Sequence, residues 1–220
     1  MRGLKRPMTG CGALLGAIVS LSGALAGSPA ESRLAAITPV FAQLVMFSLP
    51  PEFKSQKPTY EKNSGSFYIR QQVPEGETLG KWSRMLTLSG TRGLVGNPNA
   101  TPQALLARMS ADFQRHCPDT FSTEAPGTQK VDGYDAYEVI VSCGRVQSGK
   151  ESYSESAVML TVKGSSDYYT LQWTERGRDS AQAHAIDVAY WTKQLARLDP
   201  IRLCRIVPGE GAPYSSCARR

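Results

Sequence analysis

The chain has 220 residues, 41% of them hydrophobic, with 25 basic and 19 acidic side chains. This length and apolar content predict one domain with a core of its own. Three of the basic residues, Arg2, Lys5 and Arg6, lie in a predicted leader. Without them, 22 basic residues oppose 19 acidic ones, and a net charge of +3 excludes the strongly basic domain typical of nucleic-acid binding.

Residues 1–30 have the three-part form of a secretory signal peptide. The basic start precedes an apolar segment, residues 13–26, that is shorter than the roughly 20 residues of a membrane-spanning helix. Small residues allow cleavage after Ala26 or Ala30, and an uncleaved anchor is the alternative. We therefore expect a periplasmic or secreted protein with no stable membrane span after cleavage. Residues 31–40 are predicted to be a flexible lead-in.

Alternation of apolar and polar residues predicts several half-buried strands along the chain. The segments are 44–49, 67–73, 82–89, 137–143, 158–163 and 169–174. A turn at residues 164–167 makes 155–175 the clearest hairpin, and strands joined by short turns imply an antiparallel sheet.

Two amphipathic helices are predicted beside this sheet. The first begins at Thr101, an N-cap followed by Pro102, and ends near Cys117. The second runs from Asp179 or Ser180 to Leu198. Its apolar face is predicted to contain His184, Val188, Trp191, Leu195 and Leu198. The order of elements predicts an α+β fold over residues 41–200, in which two main helices pack on an antiparallel sheet as an α/β sandwich. A basic, cysteine-containing tail follows at 201–220.

Cysteine usage fits an oxidising compartment. Cys11 lies in the predicted leader, so an even four remain, and these allow three pairings. We favour Cys117 with Cys143 and Cys204 with Cys217, because each pair is adjacent in sequence. Zinc ligation is the alternative use, and the absence of a CxxC spacing argues against it.

The order of elements, the segment FSLPPEF at residues 47–53 and the closing helix with Trp191 resemble the Mog1/PsbP-like fold. The resemblance covers about residues 41–200 and is one of topology. It implies a non-enzymatic accessory protein that acts by contact with other macromolecules. Because one fold hosts many functions, it assigns no site residues.

No residue pattern predicts a reaction, a metal or a cofactor. The chain has two histidines: His116 is expected at a helix end and His184 on a helix face. The five carboxylates between Asp132 and Glu155 are expected at solvated strand edges. They are Asp132, Asp135, Glu138, Glu151 and Glu155.

The leading hypothesis is a domain that binds another envelope or secreted protein, as an accessory, protective or inhibitor-like factor without catalysis or cofactor. A lipid or small-ligand carrier and a small envelope hydrolase are the alternatives. The glycine-rich loop 90–100 and an aromatic and basic strand face are the candidate contact surface. Its residues are Arg92, Leu94, Val95, Asn97, Tyr68, Arg70 and Trp82.

Overall fold

Two antiparallel sheets dominate the computed structural model, which describes residues 34–53, 57–149 and 151–219. The predicted signal peptide lies outside these residues. The strands are β1 (Leu34–Val40), β2 (Gln43–Leu49), β3 (Tyr60–Asn63), β4 (Phe67–Gln72), β5 (Arg84–Thr91), β6 (Phe121–Val131), β7 (Tyr134–Ser148), β8 (Glu151–Lys163), β9 (Tyr168–Gly177) and β10 (Arg202–Arg205). The helices are α1 (Pro102–His116), α2 (Val188–Ala196) and α3 (Ser215–Ala218). The described chain is therefore a mixed α+β domain.

The larger sheet has seven strands in the order β3-β4-β5-β9-β8-β7-β6, and every neighbouring pair is antiparallel. The predicted hairpin is confirmed as β8 and β9, which pair from Ser154 opposite Gly177 to Lys163 opposite Tyr168. The alternation of side chains thus identified five of the seven strands, whereas the two edge strands, β3 and β6, were not predicted.

The smaller sheet, in the order β1-β2-β10, corrects two predictions. The expected flexible lead-in is wrong over residues 34–40, because β1 pairs with β2 along its whole length. The C-terminal segment is not a separate tail either, since β10 pairs with the other side of β2, with Leu203 opposite Val45. Strand β10 has only four residues, and β1 contains a proline, which disfavours a strand prediction. Their shared partner strand supplies the hydrogen bonds that order both.

The main core lies between the two sheets and α2. Trp173 of β9 is fully buried there, and its ring meets Phe53 edge-on at 5.5 Å between centroids. Trp191 and Leu195 of α2 belong to the same core, as the predicted helix face requires. This burial fixes which face of the seven-stranded sheet points inward and leaves the opposite face for α1.

Helix α1 begins and ends where the sequence predicts. The Thr101 hydroxyl accepts a hydrogen bond from the Ala104 amide at 3.0 Å, and Pro102 is the first helical residue. Leu106 is fully buried against Val141 and Met159 in a second apolar cluster. The helix therefore covers the β7–β8 part of the outer sheet face.

Helix α2 is shorter than predicted. It begins at Val188, capped by the Asp187 carboxylate, which accepts a hydrogen bond from the Tyr190 amide at 3.0 Å. The preceding residues instead follow the β6–β7 edge, where the Ser180 amide donates to the Gly144 carbonyl at 2.8 Å. The Ser122 hydroxyl also donates to the His184 carbonyl at 2.7 Å. The prediction that His184 lies on a helix face is consequently wrong, because these two tertiary hydrogen bonds outweigh the helical periodicity.

Both predicted disulfides are confirmed. Cys117 at the end of α1 is bonded to Cys143 of β7, and Cys204 of β10 is bonded to Cys217 of α3. All four cysteines are buried. The first bond fixes α1 to the sheet, and the second fixes the C-terminal segment.

Candidate functional site

An open groove of about 610 Å³ crosses the outer face of the seven-stranded sheet, beside α1. Strands β5 and β9 form its floor, α1 forms one wall, and β4 with the following loop forms the other. We call this feature the sheet groove. Its floor is made by Met85, Thr87, Ser89, Thr91, Thr170, Gln172 and Thr174.

The polar floor follows from strand alternation. On β5, Leu86 and Leu88 point into the main core, so Thr87 lies on the opposite face. On β9, Trp173 points inward, and Thr174 points into the groove. A sheet face that α1 covered completely would be expected to be apolar, as it is under Leu106. The hydroxyl and amide side chains therefore mark the part of the face that remains open.

The walls of the sheet groove are largely apolar. Phe67 of β4 is 43% exposed and Leu79 of the following loop is 38% exposed. Leu105 and Met109 of α1 are half-buried on the opposite wall, one helical turn apart. Apolar side chains left exposed beside a concave surface are typical of binding sites.

A largely buried ion pair lines one end of the groove. The Arg176 guanidinium lies 3.8 Å from the ring centre of Trp82 and 3.9 Å from that of Tyr153. Its Nε donates to Glu155 Oε2 at 3.2 Å, and both side chains are only 19% exposed. Burial raises the pKa of Glu155, and the Arg176 charge opposes that shift. Arg176 therefore joins the 74–83 loop, through Trp82, to the β8–β9 hairpin.

Apart from Thr91 at its start, the predicted contact loop 90–100 does not line this groove. Arg92, Leu94, Val95 and Asn97 are not among the groove-lining residues. The loop is instead hydrogen-bonded to the β8–β9 turn. The Gly93 amide donates to the buried Asp167 carboxylate at 2.8 Å, and the Val95 amide donates to the Ser166 carbonyl at 3.4 Å. Sequence alone could not reveal Asp167 as the anchor, because the contact spans 74 residues.

The predicted aromatic and basic face is wrong as a single surface. Tyr68 is only 4% exposed, and its hydroxyl donates to Glu61 at 2.5 Å. Arg70, two residues on, shares that face of β4 and donates to Thr38 of β1 at 3.0 Å. Trp82 alone of the three lines the sheet groove. The alternation of β4 separates Tyr68 and Arg70 from the groove, to which the neighbouring Phe67 and Ile69 contribute.

Two carboxylates expected at solvated edges are largely buried instead. Glu155 belongs to the ion pair described above. Glu138 of β7 is 4% exposed and lies in a second pocket of about 660 Å³ beside α2. Its carboxylate accepts hydrogen bonds from Gln129 at 2.9 Å and Thr192 at 3.3 Å. Their partners come from other elements, so the local sequence carried no sign of burial.

The pH dependence of Glu138 can be tested. Burial raises the pKa of Glu138 above its ordinary 4.5, while the Thr192 and Gln129 hydrogen bonds oppose the shift. The folded state therefore binds the proton more tightly, and the resulting stabilisation is present below pH 4.5 and lost as pH rises through the folded-state pKa. We expect the free energy of unfolding of the wild type, relative to Glu138→Gln, to fall between pH 4 and pH 7 in urea titrations.

Asp135→Asn provides the control. Asp135 is exposed, and its pKa is lowered by the Lys130 ammonium, so its stabilising contribution declines only below its ordinary value of 3.8. The difference in the free energy of unfolding between the wild type and Asp135→Asn should stay constant between pH 4 and pH 7. A Glu138→Gln difference that is equally constant would contradict the assigned effect of burial.

Side chains suited to metal binding do not converge in the described residues. These residues hold no group of three or more His, Cys, Asp or Glu side chains that could bind a metal ion. His116 lies at the end of α1, with Nδ1 2.7 Å from the Asp112 carbonyl, and His184 is half-buried before α2. Neither lines the sheet groove. Among the helices of the described residues, none has the length and apolarity needed to span a membrane.

Comparisons with known proteins add one structural similarity. No protein family and no curated protein matches the sequence. One similar solved structure is LpqN of Mycobacterium tuberculosis, described as involved in cell envelope biogenesis. It is 8% identical, with coverage of 81% of this chain and 87% of that chain, at a TM-score of 0.31. The candidate site consequently rests on the geometry of this chain alone.

Proposed function

We propose that this protein is an exported domain that binds another protein through the sheet groove and catalyses no reaction. The exposed apolar walls of the groove carry this proposal. Phe67 and Leu79 leave about two fifths of their surface in contact with water, beside a cavity of about 610 Å³. A partner that covered them would remove this apolar area from water, which would stabilise the complex by about 25 cal/mol per Å² buried.

The chemistry of the groove favours binding over catalysis. Its lining in the described residues includes neither histidine nor cysteine, the side chains most used as general base or nucleophile. Glu155, the most buried carboxylate of the lining, is already paired with Arg176. A hydrolase would require an acid, base or nucleophile aimed at a substrate, and these groups stabilise each other instead.

The lining of the second pocket argues against the alternative that the protein carries a lipid. A carrier of lipids would need an apolar cavity under α2, whereas the pocket beside α2 is lined by Asp132, Glu138 and Asp199. Its volume of about 660 Å³ would suit a small ligand, but the carboxylates disfavour an apolar one. We therefore place binding in the sheet groove.

The proposed location and architecture complete this assignment. Two buried disulfides support an oxidising compartment, as does the leader predicted at residues 1–30. Helix α1 packs against Val141 on the outer sheet face, while α2 packs with Ile140 on the inner face. These contacts support an α/β sandwich with two main helices, the arrangement that the Mog1/PsbP-like resemblance implies.

A matched pair of variants tests the site. Phe67→Ser/Leu79→Ser removes the exposed apolar side chains of the groove, whereas Ile206→Ser/Val207→Ser removes two that are 42% and 43% exposed elsewhere. Oxidised mature protein serves as bait for envelope and secreted fractions of its own cell, read by mass spectrometry. We expect the wild type and the control variant to capture one stoichiometric partner. The groove variant should capture at least tenfold less of it, because burial of the two apolar side chains would stabilise the complex by about 3 kcal/mol.

Equal capture by the groove variant and the wild type would place the interface elsewhere. Capture lost in both variants would mean that binding does not depend on the groove in particular. Circular dichroism and urea unfolding of each variant establish that its fold is retained before capture is compared.

A further inference from the structure

The groove floor contains a row of unused hydroxyl groups. Thr87, Ser89 and Thr91 are alternate residues of β5, so all three side chains lie on the groove face. Within the described residues, none of the three hydroxyls makes a hydrogen bond to another residue. We call these residues the β5 hydroxyl row. A line of donors and acceptors without intramolecular partners indicates polar groups in the occupant.

The hydroxyl groups on the adjacent strand, β9, differ from the β5 hydroxyl row because they have hydrogen-bond partners. On β9, the Thr170 hydroxyl bonds to that of Thr161 at 2.7 Å, and the Gln172 amide donates to the Thr174 hydroxyl at 2.8 Å. Polar side chains on the β9 part of the floor therefore have partners within the sheet. The unsatisfied hydrogen-bonding capacity of the floor is concentrated along one line.

The spacing of this line fits an extended polypeptide. Alternate residues of an antiparallel strand are separated by about 6.8 Å, so the β5 hydroxyl row spans about 14 Å. An extended segment that runs along β5 repeats its own groups at the same interval. A helix has a repeat of about 5.4 Å per turn and satisfies its backbone groups internally. The row therefore favours an extended occupant.

The charges of the groove indicate an acidic occupant. Arg108 of α1 lines the groove, is exposed, and has no hydrogen-bond or ion-pair partner in the described part of the chain. The other charged lining residues are paired: Glu155 with Arg176, and Asp112 with Arg115. Arg108 is thus the charged lining residue without an ion-pair partner in the described part of the chain, and it lies on the wall that also carries Leu105 and Met109.

We propose that the sheet groove holds its partner as an extended acidic segment of about five residues, a length set by the span of the β5 hydroxyl row. Polar groups of every second residue hydrogen-bond to Thr87, Ser89 and Thr91, and a carboxylate pairs with Arg108. Apolar side chains of the segment pack between Phe67 and the α1 wall. This inference rests on the proposed function, because it specifies how the same groove binds a protein.

The test uses a phage-displayed library of random 12-residue peptides, selected on the oxidised full-length mature protein. We expect enriched sequences that contain Asp or Glu and lack helical periodicity. With the best synthetic peptide, fluorescence anisotropy should show affinity about tenfold lower for Thr87→Val/Thr91→Val, which keeps the side-chain shape and removes two hydrogen bonds. Arg108→Gln should lower affinity about threefold, and the loss should shrink at high salt.

Matched controls lie outside the groove. Thr128→Val removes an exposed hydroxyl from β6, and Arg205→Gln removes an exposed charge from β10, so neither should change peptide affinity. Enriched peptides that become helical on binding would overturn the extended mode, as would a selection without groove-dependent sequences or affinities unchanged by Thr87→Val/Thr91→Val. The proposed function would stand in these cases if Phe67→Ser/Leu79→Ser still abolished capture of the partner, and it would fall if capture persisted.

Discussion

Replacing Arg176 with methionine is expected to lower the free energy of unfolding by about 3 kcal/mol. This is near the lower end of the cost of leaving one partner of a buried ion pair alone, because each side chain is 19% exposed. Glu155 would keep its largely buried position without the guanidinium Nε that donates a hydrogen bond to its Oε2 at 3.2 Å. Trp82 and Tyr153 would also lose the cation between their rings. Urea unfolding at pH 7, followed by tryptophan fluorescence, measures the change.

Two comparisons separate loss of the pair from loss of a surface charge. The side chains of the surface pair Lys130–Asp135 are 66% and 60% exposed, so Lys130→Met should destabilise the domain much less than Arg176→Met does. The double change Glu155→Leu/Arg176→Met removes both buried charges and should recover much of the stability lost in Arg176→Met. An Arg176→Met variant as stable as Lys130→Met would show that the Glu155 charge is solvated in the folded protein.

The same substitution should alter the groove. Arg176 connects Trp82 of the 74–83 loop with Tyr153 of β8, and this contact lies at one end of the sheet groove. Without the guanidinium, Trp82 retains apolar contacts with Val73 and Met85 but loses the cation that joins it to Tyr153 of β8. The stability of the domain and the shape of its candidate binding site thus depend on one side chain.

Local sequence patterns were sufficient where one element supplies the information. The alternation of Val158, Leu160 and Val162 identified β8, and Thr101 followed by Pro102 identified the start of α1. The cysteine pairs followed from their proximity in sequence. Each of these features depends on residues that are close together in the chain.

Features that depend on distant partners were not predictable in this way. Strand β1 and strand β10 are ordered by the same β2, and β10 follows β2 by about 150 residues of chain, so no local pattern indicates the pairing. The segment before α2 has helical periodicity, but hydrogen bonds from Ser180 to Gly144 and from Ser122 to His184 hold it in another conformation. The buried state of Glu138 depends on Gln129 and Thr192 from two other elements.

The candidate site shows the same division. The sequence singled out Trp82 as a contact residue, and Trp82 lines the groove. It did not single out Thr87 or Arg108, because each is unremarkable within its own strand or helix. They become significant only because α1 covers β7 and β8 and leaves β5 open, an outcome of tertiary packing that a single sequence does not display.

Removal of the Cys117–Cys143 disulfide should lower the free energy of unfolding by about as much as Arg176→Met does. It should also weaken binding in the sheet groove. The bond closes 26 residues, and Cys117→Ala/Cys143→Ala is expected to destabilise the domain by about 3.5 kcal/mol on the chain-entropy estimate. The alanines also leave space where two sulfur atoms were buried, which adds to the loss. Urea unfolding of the oxidised wild type and the variant gives the difference.

The position of this disulfide predicts where the remaining structure loosens. Cys117 is the C-cap of α1, and that helix supplies Leu105, Arg108 and Met109 to the groove wall. Amide hydrogen exchange in α1 should therefore accelerate, and capture of the partner should weaken. Cys204→Ala/Cys217→Ala is the matched control, since its 13-residue loop should cost about 3 kcal/mol but ties β10 to α3, outside the groove. If both variants lost stability and kept full binding, α1 would not need its covalent link to hold the groove wall; if only the control lost binding, the sheet groove would not be the binding site.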